Sequence, residues 1–102
     1  MDHKEFGLLA QTALTRIQSG LENAELDFES PADGVLEIEF DDGSKIVINR
    51  HGVAQEIWVA ARSGGFHFRP TNGTWKDSRD GDDLYLKLAR LISQQGGVTA
   101  LF

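Results

Sequence analysis

The chain contains no cysteine, which excludes thiolate metal sites, disulfides and thiol catalysis together. No apolar run approaches the roughly 18 residues that span a bilayer, and no basic-then-apolar leader opens the sequence. The expectation is a small cytoplasmic protein without membrane contact. There is no internal repeat, nor any low-complexity tract long enough to stay disordered. With a net charge of −6 and a pI near 4.9, the chain has no basic face to offer nucleic acid.

The most telling absence is local. From Ile17 to Ser44, a stretch of 28 residues, there is no Lys or Arg. The same stretch holds nine of the sixteen acidic residues: Glu22, Glu25, Asp27, Glu29, Asp33, Glu37, Glu39, Asp41 and Asp42. Eight of the ten basic residues follow it. Interspersed charge would serve solubility better, and crowded carboxylates repel one another in a compact state. A metal ion or a basic patch on a partner would offset that cost. The alternative is a plain solvated face.

Apolar periodicity sets the expected elements. Phe6, Leu9, Ala10, Ala13, Leu14, Ile17 and Leu21 form one helical stripe, so a first helix should span about residues 3–23. The period then drops to two. Leu26 and Phe28 alternate with Asp27 and Glu29, and Leu36, Ile38 and Phe40 with Val35, Glu37 and Glu39. Asp42-Gly43 turns the chain into Lys45–Asn49. Glu56–Arg62 reads as another strand, Gly64-Gly65 as a turn, Phe66–Arg69 as a strand, and Asn72-Gly73 as a hairpin into Thr74–Asp77. Asp80 or Asp82 should cap a second helix that buries Leu84, Leu88, Leu91 and Ile92, and Gly96-Gly97 should end it. Strands joined by short turns are antiparallel. The expected fold over residues 1–102 is a single α+β domain, a two-layer sandwich. Its two helices cover one face of an antiparallel sheet of about six strands, and the other face stays open.

Several side chains stand out. Glu22 and Glu25, three apart near the end of the first helix, should project together, and Asp27 and Glu29 should line the outer face of the next strand. Carboxylates are hard ligands that suit iron, manganese, calcium or magnesium, with nothing here to select among them. If Ile57, Val59 and Ala61 face the core, Trp58 faces water and can anchor an interface; in the opposite register it is buried. Asn49 would lie on its face. Trp75 reads as partly buried. His67 should point to the open face, His51 should sit in a loop, and His3 lies beside Asp2 and Glu5 at the helix start.

Gly34-Val35-Leu36, Phe40, Asp42–Arg50, Ile57–Ala60, Gly64–Phe68 and Gln94-Gln95 resemble bacterial frataxins of the CyaY type. The resemblance extends in order over nearly the whole chain. His51, Val53 and Glu56 depart from the Gln, Pro and Gln common in that family. Gln18 and Ser19 stand where enterobacterial relatives carry acids, and the segment from Glu25 to Gly34 is shorter. The resemblance implies weak iron binding, ferrous or ferric, at a ridge of Glu22, Glu25, Asp27 and Glu29. It also implies a non-catalytic role in iron–sulfur cluster assembly. The implied partners are the cysteine desulfurase and its scaffold protein, contacted through Trp58, Asn49, Glu22 and Glu25, by a monomer that could oligomerise with iron. A ferroxidase or iron-storage protein is the runner-up, although no Glu-x-x-His pair of a di-iron oxidase occurs. A third reading makes the ridge only a polyanion for a basic protein.

Overall fold

Asp2 starts the first helix. Its carboxylate accepts a hydrogen bond from the Glu5 backbone N–H at 2.7 Å, satisfying one of the donors that a first turn leaves unpaired. The computed structural model describes residues 1–102, and in it α1 runs His3–Asn23 with Phe6, Ala10, Ala13, Leu14, Ile17 and Leu21 buried. Leu9 is 40 % exposed, contrary to its place in the expected stripe. At about 100° per residue it lies about 90° from the stripe's centre.

Glu25 is not on the helix. Ala24 caps α1, and Glu25 takes the left-handed backbone conformation at φ 56°. Its N–H bonds to the Glu22 carbonyl at 3.0 Å, and the Leu26 N–H bonds to the Leu21 carbonyl at 3.0 Å. These paired bonds close a Schellman cap, where glycine is the usual residue because it has no Cβ to strain. Glu22 and Glu25 therefore do not share a helix face. Replacing Glu25 by Gly should stabilise the fold by roughly 0.5–1 kcal/mol, a rise of a few degrees in Tm. A thermal melt checks this, and an unchanged or lower Tm would show that the cap carries no strain.

Six strands follow: β1 Phe28–Glu29, β2 Val35–Glu39, β3 Lys45–His51, β4 Glu56–Ala61, β5 Gly64–Thr71 and β6 Thr74–Asp77. They lie side by side in chain order, every neighbouring pair antiparallel. Asn72 and Gly73 both have positive φ, 47° and 80°, as the two central positions of a tight hairpin turn require. Two details differ from expectation. The β4–β5 turn is Arg62-Ser63, since Gly64 and Gly65 already pair with Ala61 and Ala60. His51 is the last residue of β3 and not part of a loop.

Leu36, Ile38, Ile46, Ile48, Ile57, Val59, Phe68 and Trp75 are buried in one core with residues of both helices. Trp75 is only 5 % exposed and meets Phe6 edge-on, with ring centroids 6.0 Å apart, so it is core and not partly buried packing. The second helix, α2, runs Leu84–Gly96 and buries Leu84, Leu88, Leu91 and Ile92. Asp83 caps it; Asp80 and Asp82 instead turn their carboxylates toward Lys87. Gly96 permits close approach, for a Cβ there would strike the Phe40 ring. The tail returns over α1, where Arg16 Nη2 donates to the Phe102 carbonyl at 2.7 Å. The result is the expected two-layer α+β sandwich with one sheet face uncovered.

Candidate functional site

The open face is built by alternation. With Ile46, Ile48, Ile57 and Val59 turned into the core, the intervening side chains must point the other way. Glu29 pairs with Glu37, Glu37 with Val47, Val47 with Ala60, and Ala60 with Gly65. The next row is Val35, Asn49, Trp58 and His67. The face therefore grades from carboxylates on β1 and β2 to aromatic rings on β4 and β5.

At the acidic end, Asp27, Phe28, Glu29, Glu37, Glu39 and Lys45 line a groove of about 400 Å³. Asp27 and Glu29 are thus drawn together with Glu37 and Glu39, which the sequence placed only on a neighbouring hairpin. Exposed Glu22 and Glu25 are not among the residues lining the groove. No three His, Asp or Glu side chains converge closely enough to cage a metal ion. The arrangement is an open row of hard oxygens, suited to a cation that keeps part of its water shell. Asp33 and Asp42 are otherwise engaged. Asp33 pairs with Arg50 at 3.1 Å. Asp42 accepts from the Ser44 hydroxyl at 2.6 Å and from Arg62 at 2.6 Å, and the Ser44 hydroxyl followed by Arg62 holds its pKa well below the usual carboxylate range.

Lys45 is the groove's own cation. Its Nζ lies 3.2 Å from Glu37 Oε1, and that hydrogen bond raises the lysine pKa. A divalent ion entering the groove meets this fixed positive charge. Replacing Lys45 by Gln should tighten binding of a divalent cation, since it removes a fixed like charge from the groove. Calorimetric titration of both proteins with Mn²⁺ measures it. Equal affinities would show that cations bind elsewhere.

Trp58 lies on the open face, in the register where Ile57 and Val59 are buried, but it is half-buried and does not stand free. The imidazole of His51 stacks on one side at 3.9 Å and 13°, and that of His67 at 4.4 Å and 10°. The indole Nε1 donates to Glu56 Oε1 at 2.8 Å, while Arg69 Nε donates to Glu56 Oε2 at 2.7 Å. Glu56 is 5 % exposed. Burial pushes its carboxyl pKa up, and the bonds from Arg69 and Trp58 outweigh that, so the net shift is downward. His51 Nδ1 accepts from the Ala54 N–H at 3.1 Å, which leaves its ring proton on Nε2. The sequence pointed to Trp58 but not to this support. His51 and Glu56, from two adjacent strands, both meet at Trp58.

A frataxin-like domain profile matches residues 1–98. The chain belongs to the frataxin family. This frataxin is 58 % identical over 99 residues to the iron–sulfur cluster assembly protein CyaY of Dechloromonas aromatica, covering 95 % of this chain and 94 % of that one. Its fold is similar to the solved frataxin of Psychromonas ingrahamii, with a TM-score of 0.91, 29 % identity, and coverage of 99 % and 97 %. It is also similar to a trimeric yeast frataxin from Saccharomyces cerevisiae solved in complex with ferrous iron. There the TM-score is 0.75 and the identity 27 %, over 87 % of this chain and 86 % of that one.

One further cluster lies away from the open face. Lys87, 5 % exposed, donates to Asp77 at 2.8 Å and Asp80 at 2.7 Å, with Asp82 at 3.3 Å. The Phe66 ring lies 5.0 Å from the ammonium. No sequence reading singled it out, although a Lys three residues after Leu84 and one before Leu88 falls on the helix's buried stripe.

Proposed function

We propose that this frataxin is a non-catalytic regulator of iron–sulfur cluster assembly. Iron, ferrous or ferric, is its weakly held cargo along the carboxylates of Asp27, Glu29, Glu37 and Glu39, with Glu22 and Glu25 extending the acidic edge. The open face docks on the cysteine desulfurase and its scaffold protein in the cytoplasm, through Trp58 and Asn49. The free protein is monomeric and associates only under iron load. The observation that carries this reading is that the acidic groove and the rigidly seated Trp58 share one uncovered sheet face, two strands apart. The name of the Dechloromonas relative and the ferrous iron of the yeast structure support it.

The test is cluster formation reconstituted from desulfurase, scaffold, cysteine and ferrous iron without oxygen. Adding the wild-type protein should change the rate of cluster formation, and Glu37→Lys/Glu39→Lys and Trp58→Ala should each lose that effect. An unchanged rate with the wild type would end the proposal. Oxygen uptake with ferrous iron alone separates a ferroxidase from a regulator; the regulator consumes oxygen no faster than the buffer does.

A further inference from the structure

Beside Trp58 the open face has a hole in it. The row that begins at Glu29 and Glu37 continues through Val47 and Ala60 to Gly65, so its floor falls from carboxylates to small residues. Asn49, Trp58 and His67 form the wall. Together they enclose a shallow trough of about 230 Å³, large enough for one side chain. Its far end is marked by Arg79, whose Nη2 donates to the Gly65 carbonyl at 2.8 Å. The wall cannot collapse into this space, because Trp58 is stacked on both faces and bonded to Glu56. A rigid aromatic wall over a small-residue floor is the kind of pocket that receives an interface anchor.

The charge gradient states what kind of segment fits. Resting on the docking reading above, we infer that the trough takes an apolar side chain of the partner's surface loop, with a Lys or Arg of the same loop reaching Glu37. Glu37 and Ala60 are two strands apart, which at about 4.8 Å per strand is about 10 Å. In extended chain that distance spans about three residues, so the loop carries its apolar and basic residues about three positions apart. The apolar insertion excludes water, and the basic residue sets the direction of approach.

Filling the trough tests this. Ala60 is exposed and lies in a strand interior, where a β-branched residue is well tolerated. A Cβ built on Gly65 meets no atom within 4 Å. Ala60→Ile and, independently, Gly65→Val should therefore fold with the wild-type Tm. Each should weaken binding to the purified desulfurase–scaffold complex roughly tenfold or more, as loss of a central interface contact does. Leu86→Ala, on the outer surface of the second helix, should bind like the wild type. Wild-type affinity in both filled variants, with Trp58→Ala impaired, would overturn the trough and leave the docking reading standing. An equal loss in Leu86→Ala would overturn it too. Absence of binding by the wild type would overturn both readings.

Discussion

Replacing Lys87 by Met should be among the most damaging single changes in this protein, costing about 3–5 kcal/mol, because it leaves a buried carboxylate without its counter-ion. Asp77 is 4 % exposed, and its pKa is subject to two opposed influences. Burial raises it, and the hydrogen bonds from Lys87 and the Arg79 N–H, together with the charge of the lysine, lower it by more. Asp80, bonded to the same ammonium, is lowered as well. Lys87 is raised: burial opposes its charge, and the bonds it donates to Asp77, Asp80 and Asp82 prevail. Depressed carboxylates contribute stability that is present above their unfolded pKa and lost as pH falls through the folded one. A raised lysine contributes stability present below its unfolded pKa and lost as pH rises through the folded value. The cage is therefore at full strength between the carboxylate and lysine ranges.

In the Lys87→Met protein, Asp77 keeps its burial and loses its partner, so protonation relieves it. The melting point should drop by on the order of 20 °C near neutrality. The gap to the wild type should narrow as pH falls, first as Asp77 of the variant takes up its proton and then, below about pH 4, as the depressed wild-type carboxylates do. Adding Asp77→Asn should restore at least 1 kcal/mol, by removing the unpaired charge. Melting curves of wild type, single and double variants across pH 3–8 measure all three effects. A pH-independent gap would mean that Lys87 acts through packing and not charge.

Trp58→Ala should cost the partner complex about 2 kcal/mol, a roughly 30-fold weaker Kd. The loss should appear mainly as faster dissociation, because a dry aromatic contact governs release. Charge reversal at Glu22 and Glu25 should instead slow association and flatten its dependence on salt, as rim charges do. Trp58→Ala is not free for the fold: two aromatic stacks and one donor to Glu56 go with it, at about 1–3 kcal/mol, while Arg69 still satisfies the carboxylate. Interferometry over a range of ionic strength separates the two variants. A Trp58→Ala protein that melts as a core truncation would, or whose salt slope changes, would contradict its role as the anchor.

The helices and strands were legible because each buries one face at its own period. Ile46, Ile48, Ile57 and Val59 could only lie together inward, and that put Trp58 outward. What could not be read was convergence between segments. His51, Glu56 and His67 sit on three strands, and only the pairing register places both imidazoles against one indole. Asp80 and Asp82 were offered as the helix cap, and Asp77 was read as the end of a strand. Asp83 fills the capping place, and Lys87 engages the other three. Glu25 was misplaced for a local reason: nothing in its residue type marks a left-handed cap, which glycine would have announced. The crowding of carboxylates was legible as composition. That Glu37 and Glu39 line one groove with Asp27 and Glu29 follows only from the pairing of β1 with β2.

The most direct measurement is an amide spectrum of the ¹⁵N-labelled protein titrated with the unlabelled desulfurase–scaffold complex. Signals of Asp27, Glu29, Glu37, Asn49, Trp58 and His67 should broaden first, with the Trp58 indole N–H among them, while those of Leu8, Gln11 and Leu86 on the helical layer should persist. Broadening centred on the outer surfaces of α1 and α2, with the Trp58 indole unmoved, would contradict the open sheet face as the docking surface.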